Sequence, residues 1–396
     1  MRIDFEYTCG WNRVLMDFAG FWPKPRSSFI GKNWPLIHAV IVLIVIIIPR
    51  FAAMFLFWNE VDAVVQSFAT QLIFIVVFFK LIVLQFGNKV LVDLLVTMED
   101  DLSTELTEEQ YTPVFKAAKI ARTISMFLGI ATISILSTGI VSLKLYHLDS
   151  FYIKNPDPRL STNFFFVAYL PFNTTSIITY MMILSIQFYI SVISTGIHLI
   201  LDSFIMMLVL HICGQLQVVQ ESLTQLVKGI LGFEKLSFQV AFRAVLMKHQ
   251  AVCRFTKNLD ALFNFIWFLE LFSCTLTLCF QGYTVQKLLH SDQSTIFQMG
   301  FPLCSTLGLV SQFFLNCWAG EYLMSESAEI GFAYYRSEWY TLVSSDARSL
   351  MMIGHQGLRP LTLTTCKFSI LSLRLFLQVM KASFSYLSML LVLTHS

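Results

Sequence analysis

The segment LTTCKFSILSLRLFLQVMKASFSYLSMLLVLTHS (363–396) is apolar over more than the roughly 20 residues that a helix needs to cross a bilayer. Five polar residues interrupt it at alternating steps of four and three: Arg374, Gln378, Lys381, Ser385 and Ser388. These steps place all five on one face of a helix. Because a charged side chain facing lipid costs at least about 2.5 kcal/mol, we expect this face to meet protein or water. The pattern predicts a membrane-spanning helix that lines a pore.

The composition indicates a polytopic membrane protein. The chain has 396 residues, of which 56% are hydrophobic and only 13% are charged. A soluble domain of this size usually carries about 25% charged residues. The net charge of +2 gives no indication of a nucleic-acid partner. We therefore predict an all-α protein in contact with membrane lipid.

Seven apolar runs predict seven membrane-spanning helices. The first six lie near 35–57, 64–86, 120–143, 174–201, 262–283 and 296–319, and the segment 361–396 is the seventh. The fourth run is ambiguous, because from Phe164 to Leu210 only Asp202 is formally charged. Two spans there would move the six cations of the following segment outside the cell, against the rule that inner loops are positive. We therefore predict one helix, preceded by a loop that ends at Pro171 and continuing past Asp202.

The distribution of Lys and Arg predicts a cytoplasmic amino terminus. In that orientation nineteen cations lie in inner segments, and five lie in outer ones: Arg50, Lys144, Lys154, Arg159 and Lys287. G-protein-coupled receptors have the opposite orientation. The predicted division of the chain is a cytoplasmic segment (1–34), helices one to four (35–201), a cytoplasmic extension (202–261), helices five and six (262–319), cytoplasmic anchor helices (320–360) and the pore-lining helix (361–396).

The inner segments themselves carry helical patterns. Residues 236–261 alternate apolar and basic side chains at helical steps, which is typical of an amphipathic helix that covers another apolar face. The sixth helix is predicted to continue through 320–340, and a further helix is predicted near 344–355. Helices four to seven are thus expected to extend into a cytoplasmic anchor bundle.

The chain lacks enzyme motifs, and we predict neither an enzyme, a cofactor nor a metal site. It contains no glycine-rich phosphate loop, no His-Glu-x-x-His and no Gly-x-Ser-x-Gly. His198 and His211 are interpreted as interfacial or hydrogen-bonded core residues, since Asp202 alone is weak support for a metal site. Glu270 is either a functional intramembrane carboxylate or a protonated group bonded to a neighbouring helix. Lys80 is predicted to reach the inner interface with its ammonium group and to have no special role.

Four stretches together resemble the insect odorant receptor family. They are VLMKHQAVCRFTKNLDALFNFI (245–266), FFLNCWAGEYLMSESAEIGFAYYRSEWY (313–340) with its Cys-Trp and Gly signature residues, SLMMIGHQGLRPLTLTTCKFSILSL (349–373) and MKASFSYLSMLL (380–391). Over 1–244 the resemblance rests on length and on the seven-helix topology. Glu270 stands where many members have Gln, and Phe384 replaces a common Tyr.

The resemblance implies a tetrameric, odorant-gated, non-selective cation channel in the plasma membrane of olfactory sensory neurons. The segment between helices four and five lacks the long insertion of the shared co-receptor. The chain therefore resembles a ligand-selective subunit that assembles with that co-receptor into a heterotetramer. The seventh helices would surround the pore, and the family's outer gate would fall on Met389 and Leu393. These two residues lie one and two turns beyond Ser385, on the face that also carries Lys381.

The resemblance also implies a pocket for small volatile ligands between helices two, three, four and six. An apolar lining with a few hydrogen-bonding groups suits such ligands. The outer halves of these helices offer Phe68, Gln71 and Leu72 from helix two, Ser137, Val141 and Tyr146 from helix three, Ile178, Thr179 and Met182 from helix four, and Phe301 and Ser305 from helix six.

A membrane transporter is the alternative function. It would use Glu270, Arg374 and Lys381 as a relay of charged groups. Transporters often consist of two related halves. The sequence shows no such repeat, and its polar intramembrane residues concentrate in the last helix, which favours the channel.

Overall fold

The computed structural model describes residues 2–24, 29–56, 58, 61–146, 168–170, 176–228, 235–290 and 296–395. In this part the chain is a bundle of helices with one short hairpin, as predicted for an all-α fold. The helices are α1 (Phe5–Phe18), α2 (Phe29–Val42), α3 (Ile48–Leu56), α4 (Val61–Phe86), α5 (Asn88–Ser103), α6 (Glu108–Tyr146), α7 (Ile177–Lys228), α8 (Lys235–His290), α9 (Ile296–Arg336), α10 (Ser344–Gln356) and α11 (Leu373–His395). A π-helical turn (Leu43–Ile47) joins α2 to α3, and a 3-10 turn (Trp339–Thr341) precedes α10.

The seven apolar runs correspond in order to α2–α3, α4, α6, α7, α8, α9 and α11. By length and composition, five described stretches can cross a membrane: Gly31–Leu56, Ser67–Phe86, Glu108–Thr138, Met181–Leu226 and Phe238–Gln286. The helices α9 and α11 complete the predicted set. The predicted boundaries between membrane and cytoplasmic segments, and the orientation, remain predictions.

The ambiguous fourth run forms one helix. α7 extends over 52 residues from Ile177 to Lys228, whereas the predicted end of the preceding loop, at Pro171, lies outside the described residues. Every residue of α7 from 201 to 216 is buried. A helix that other helices surround is apolar on all sides. The apolar run therefore continues from the span into this buried part of α7, and it is longer than one span requires.

Three long helices, α7, α8 and α9, extend beyond the apolar runs, as predicted for helices four to six, whereas the helix predicted over 361–396 begins only at Leu373. The amphipathic segment 236–261 is the first half of α8, which continues without a break to His290. α9 continues through the predicted extension to Arg336, and α10 covers the predicted short helix. α7, α8 and α9 are 52, 56 and 41 residues long, about two to three times the length that a bilayer requires.

The amino-terminal segment contains a helix that the sequence patterns did not indicate. Asp4 caps α1 by accepting a hydrogen bond from the backbone N–H of Glu6. Asn12 of α1 is buried between α6 and α7, where it donates to Ser125 Oγ at 3.2 Å and accepts from Ser203 Oγ at 2.8 Å. This small polar network fixes α1 against the bundle.

Arg50, one of the five cations assigned to outer segments, is a buried residue of α3. Its guanidinium donates to the backbone O of Ser67 at 2.9 Å and to the Thr70 hydroxyl, and it lies 5.9 Å from the ring centroid of Phe74. These partners are all on α4. The side chain therefore links α3 to α4.

Candidate functional site

The polar stripe of α11 is exposed along its whole length in the single chain. Its members, Arg374, Gln378, Lys381, Ser385 and Ser388, are all solvent-accessible, as predicted for one helix face. Met389, the predicted gate residue on the same side, is 62% exposed. The side chain of Leu393 lies outside the described part of the structure. A stripe of charged and hydroxyl groups that the described residues leave uncovered needs water or further protein beside it.

The opposite face of α11 packs against α8 and α9. Leu375, Val379 and Ser383 are buried there. The ring of Phe376 lies 5.4 Å from that of Phe314 on α9, and Leu387 contacts Gly282 of α8 so closely that a Cβ atom at that glycine would overlap it. One side of α11 is thus held by the bundle, while the polar stripe points away from it.

A β-hairpin precedes α11 and is attached to α8. Its strands, β1 (Thr364–Thr365) and β2 (Ser369–Ile370), pair antiparallel. Asp260 of α8 accepts hydrogen bonds from the backbone N–H of Thr364 at 2.6 Å and from its hydroxyl at 3.1 Å. The turn between the strands places Cys366 and Lys367 at positive φ, 50° and 62°. Such values are uncommon for residues other than glycine, so the surrounding contacts must hold the turn in place.

The Gly-Glu pair of the signature segment explains how α9 meets the start of α11. A Cβ atom at Gly320 would overlap the backbone carbonyl oxygen of Leu371, so only glycine allows this close approach. The next residue, Glu321, accepts a hydrogen bond from the backbone N–H of Leu373 at 3.3 Å. A carboxylate is favourable at a helix amino terminus, because it meets the unpaired N–H groups of the first turn. Ser372 adds a cap by accepting from the N–H of Leu375.

A buried cluster of charged and polar residues joins the four helices α4, α7, α8 and α9. We call Lys80 of α4, His198 and Asp202 of α7, Glu270 of α8 and Asn316 of α9 the Lys80 cluster. The ammonium group of Lys80 donates to Asp202 Oδ1 at 2.7 Å and to the backbone O of His198 at 3.0 Å, and lies 2.6 Å from Glu270 Oε1. The Nδ1 of His198 is 3.1 Å from it. The amide of Asn316 donates to Glu270 Oε2 at 3.0 Å.

The prediction for Lys80 was therefore wrong. The residue has no exposed surface, and its ammonium group is paired with two carboxylates instead of extending to the membrane interface. Its partners lie on α7 and α8, far away in the sequence, so its position near the end of an apolar run gave no sign of them. Glu270 contacts Lys80 of α4 and Asn316 of α9, so it has the neighbouring-helix contacts of its second interpretation, but one of its partners is an ammonium group. His211 contacts Asp101 Oδ2 at 3.2 Å, as expected of a hydrogen-bonded core histidine.

The residues predicted for the ligand pocket fall into several environments. On α4, Phe68 is partly buried against Phe280, Leu72 is buried, and Gln71 is buried with its amide donating to the backbone O of Ile47 at 3.2 Å. On α9, Ser305 is buried and donates to Gln281 Oε1 of α8 at 3.2 Å. Four of the others are exposed or partly exposed in the single chain: Ser137, Ile178, Thr179 and Met182. The side chains of the remaining three lie outside the described residues: Val141, Tyr146 and Phe301.

A cavity lies elsewhere, between α4, α7, α8 and α9. Its lining consists of Val76, His198, Glu270, Ser273, Cys274, Leu309, Gln312 and Phe313, and includes none of the predicted pocket residues. It has room for roughly one water-sized particle and is too narrow for an odorant. Sequence reasoning missed Gln312 and Gln281, because uncharged polar residues inside apolar runs are common and neither has a distinctive spacing.

The anchor end of the bundle is held by hydrogen bonds between α7 and α9. The amide of Gln217 donates to Glu326 Oε1 at 2.8 Å and to the Tyr322 hydroxyl at 3.1 Å, and Gln220 donates to the backbone O of Glu326 at 2.8 Å. Burial, together with the nearby Glu326 carboxylate, raises the pKa of Tyr322 to about 12. The phenol therefore stays protonated and available as a donor throughout the physiological pH range.

Solved structures of similar fold include an insect olfactory receptor. The chain matches the structure of the insect olfactory receptor OR5 from Machilis hrabei in complex with eugenol with a TM-score of 0.82 and 13% sequence identity, covering 99% of this chain and 100% of that one. A second structure of that receptor, for which no eugenol is named, matches with a TM-score of 0.76 and 13% sequence identity, covering 98% of this chain and 99% of that one. At this identity the likeness establishes the fold.

Two curated relatives give the same family at the level of sequence. Odorant receptor 10 of Aedes albopictus is 24% identical over 44% of this chain and 46% of its own length. Odorant receptor 22c of Drosophila melanogaster is 24% identical over 48% of each chain. The chain thus spans about half the length of the curated relatives it matches. The family model described as "7tm Odorant receptor" matches residues 60–384, most of the chain. The chain therefore belongs to the 7tm odorant receptor family.

Proposed function

We propose that this chain is the ligand-selective subunit of an odorant-gated, non-selective cation channel. The subunit assembles with a co-receptor into a heterotetramer, in which the four α11 helices, or their equivalents, surround the pore. It resides in the plasma membrane of olfactory sensory neurons, with its amino terminus in the cytoplasm. Family membership makes the chain a multi-pass membrane receptor and not an enzyme.

The exposed polar stripe of α11 is the observation that carries this proposal. Arg374 and Lys381 need water or protein beside them at membrane depth, and the part of the chain that the structure describes leaves both exposed. A ring of such helices around a central axis gives every stripe the same aqueous environment. Apolar residues near one end of the ring, Met389 and Leu393, narrow the pore and close it by excluding water.

The transporter alternative receives less support. Its relay would join Glu270 to Arg374 and Lys381. Glu270 is instead buried with Lys80 and Asn316 in the bundle, whereas Arg374 and Lys381 are exposed on the far side of α11. Among the described residues no ion pair connects the first group to the second.

The ligand is proposed to be a small volatile organic molecule, bound between α4, α6, α7 and α9. The mainly apolar side chains on the facing halves of these helices suit such a molecule, with Gln71, Ser137, Thr179 and Ser305 as the hydrogen-bonding groups. The cavity beside the Lys80 cluster is too small for this role, so the proposed pocket is distinct from it.

Co-expression with a co-receptor tests the proposal. Cells that express both subunits should show an inward cation current when a panel of small volatiles is applied, and cells with the co-receptor alone should show none to the same ligands. Surface labelling must confirm that the subunit is present. A correctly localised subunit that adds no ligand response across a broad panel would count against the proposal.

The orientation has its own test. A tag at the amino terminus should bind antibody only after permeabilisation, and a tag after Ser396 should bind antibody on intact cells. Labelling of the amino terminus on intact cells would contradict the assigned orientation.

A further inference from the structure

The Lys80 cluster has more hydrogen-bond acceptors than donors. The ammonium group of Lys80 has three N–H bonds, and four acceptor atoms from three residues, His198, Asp202 and Glu270, lie within 3.1 Å of it. The amide of Asn316 supplies one further donor, to Glu270. Among the described residues, Asp202 Oδ2 has no hydrogen-bond partner. Buried acceptors normally have partners, so a positively polarised group is missing here.

Gln312 provides an independent indication of the same deficit. Its side chain is 4% exposed, it lines the cavity beside the cluster, and its Oε1 has no hydrogen-bond partner among the described residues. Glu270 and His198 line the same cavity, and Ser273 adds a hydroxyl. Residues with oxygen-bearing side chains from two helices thus line a space of roughly one water-sized particle, together with apolar residues.

The Lys80 cluster also lacks positive charge. One ammonium group faces two carboxylates, so with both acids ionised the cluster carries a net charge of −1. The ionisable groups that line the cavity are His198 of α7, Glu270 of α8 and the Cys274 thiol. Lys80 of α4 pairs with Glu270 and with Asp202 of α7 beside the cavity, and neither Lys80 nor Asp202 is part of its lining. α9 contributes the neutral amides of Asn316 and Gln312. An unbalanced charge is costly at this depth, so one further positive charge would stabilise the site.

We propose that the cavity beside the Lys80 cluster binds one sodium ion, held by oxygen atoms of Glu270 and Gln312. A hard cation prefers carboxylate, carbonyl and hydroxyl oxygens, which this lining supplies. A monovalent ion brings the cluster to neutrality, whereas a divalent ion would leave an excess positive charge next to the Lys80 ammonium. The ion would connect α8 to α9 beside the contact of α4 with α7. This site is separate from both the pore and the ligand pocket.

Thermal unfolding of the purified full-length receptor in detergent tests this inference without any channel activity. The melting temperature is measured in sodium chloride and in choline chloride at equal ionic strength, at several pH values between 6 and 8.5. Because an ion that binds only the folded state stabilises it, we expect a melting temperature about 3 °C higher in sodium, rising with the logarithm of its concentration.

Two variants locate the effect. Gln312→Met removes a cavity oxygen at similar volume, and Glu270→Gln removes the excess negative charge; both should abolish the difference between sodium and choline. Gln217→Met, a matched change in the anchor, should lower the melting temperature but retain the difference. If Glu270→Gln does not fold, Gln312→Met decides alone.

Two results would overturn the inference. The first is an equal melting temperature of the unmodified protein in both salts; if that temperature still depends on pH, a proton shared between the two carboxyl groups supplies the missing charge. The second is a sodium effect that Gln312→Met leaves intact.

Discussion

Lys80 of α4 and Glu270 of α8 form an ion pair inside the helix bundle, with 2.6 Å between Nζ and Oε1. The same ammonium group is 2.7 Å from Asp202 of α7. Three helices that are distant in sequence thus converge on one atom. In a bundle whose other contacts are mainly apolar, such a contact fixes the register of the helices, since an unpaired charge there is costly.

Removal of the cation is therefore expected to be severe. Lys80→Met leaves two carboxylates without their partner and should destabilise the receptor by about 3–5 kcal/mol, the usual cost of breaking a buried pair. The double variant Lys80→Met with Glu270→Gln should recover a measurable part of the lost melting temperature and surface expression. Arg336→Met is the control, since its partner Glu329 is exposed, and it should change the melting temperature very little. Glu270→Gln is also measured alone. If the losses of melting temperature from Lys80→Met and Glu270→Gln simply add in the double variant, the two residues are not coupled.

Replacement by alanine should have opposite effects at two glycines of α9. Gly320→Ala places a methyl group against the carbonyl of Leu371 and should displace the hairpin and the start of α11, reducing surface expression or ligand-evoked current at least several-fold. Gly300→Ala meets no atom of the described residues within 4 Å. It should stabilise the helix slightly, because alanine is favoured over glycine by roughly 1 kcal/mol. Equal effects of both changes, measured by surface labelling and current, would contradict the role given to Gly320.

The helices could largely be predicted from the sequence, but their long-range polar contacts could not. Apolar runs and the positions of cations led to seven spans and to a single fourth helix, because both follow from local composition. The Lys80 cluster draws its members from positions near 80, 200, 270 and 316, and no local pattern connects them. The hairpin escaped prediction for another reason: its strands are two residues long, and its turn uses Cys366 and Lys367 where glycine would have been a signal. The docking of α1 depends on Asn12, whose buried position also has no local signature.

Ligand selectivity should respond to the hydrogen-bonding residues assigned to the pocket. Thr179→Val and Ser305→Ala each remove a hydroxyl at little change in volume, and the loss of one hydrogen bond costs about 0.5–1.5 kcal/mol. We expect the concentration for half-maximal current to rise up to roughly tenfold for ligands that carry a polar group. Apolar ligands should be affected less. The control is Thr224→Val on the anchor part of α7, where the hydroxyl bonds only within its own helix. Unchanged dose–response curves for both pocket variants would mean that the ligand binds elsewhere.

The gate prediction concerns Met389. Met389→Ser should let water enter the narrow part of the pore, which raises the current without ligand or alters ion selectivity. Leu390 is turned about 100° away around the helix, so Leu390→Ala should leave permeation almost unchanged. Both are measured by whole-cell recording with ion substitution. If Leu390→Ala altered ion selectivity and Met389→Ser left it unchanged, the face of α11 that carries Leu390 would line the pore instead of the face that carries Met389.

Cysteine modification measures whether the exposed stripe of α11 lines the ion pathway. Ser385→Cys lies in the middle of the stripe, whereas Leu387→Cys lies on the face that contacts Gly282 of α8. A charged, membrane-impermeant thiol reagent is applied while ligand holds the channel open, and the unmodified receptor corrects for reaction at the native cysteines. We predict a rapid, irreversible change of current for Ser385→Cys and none for Leu387→Cys. A functional Ser385→Cys channel whose current the reagent leaves unchanged would contradict a pore-lining role for the stripe.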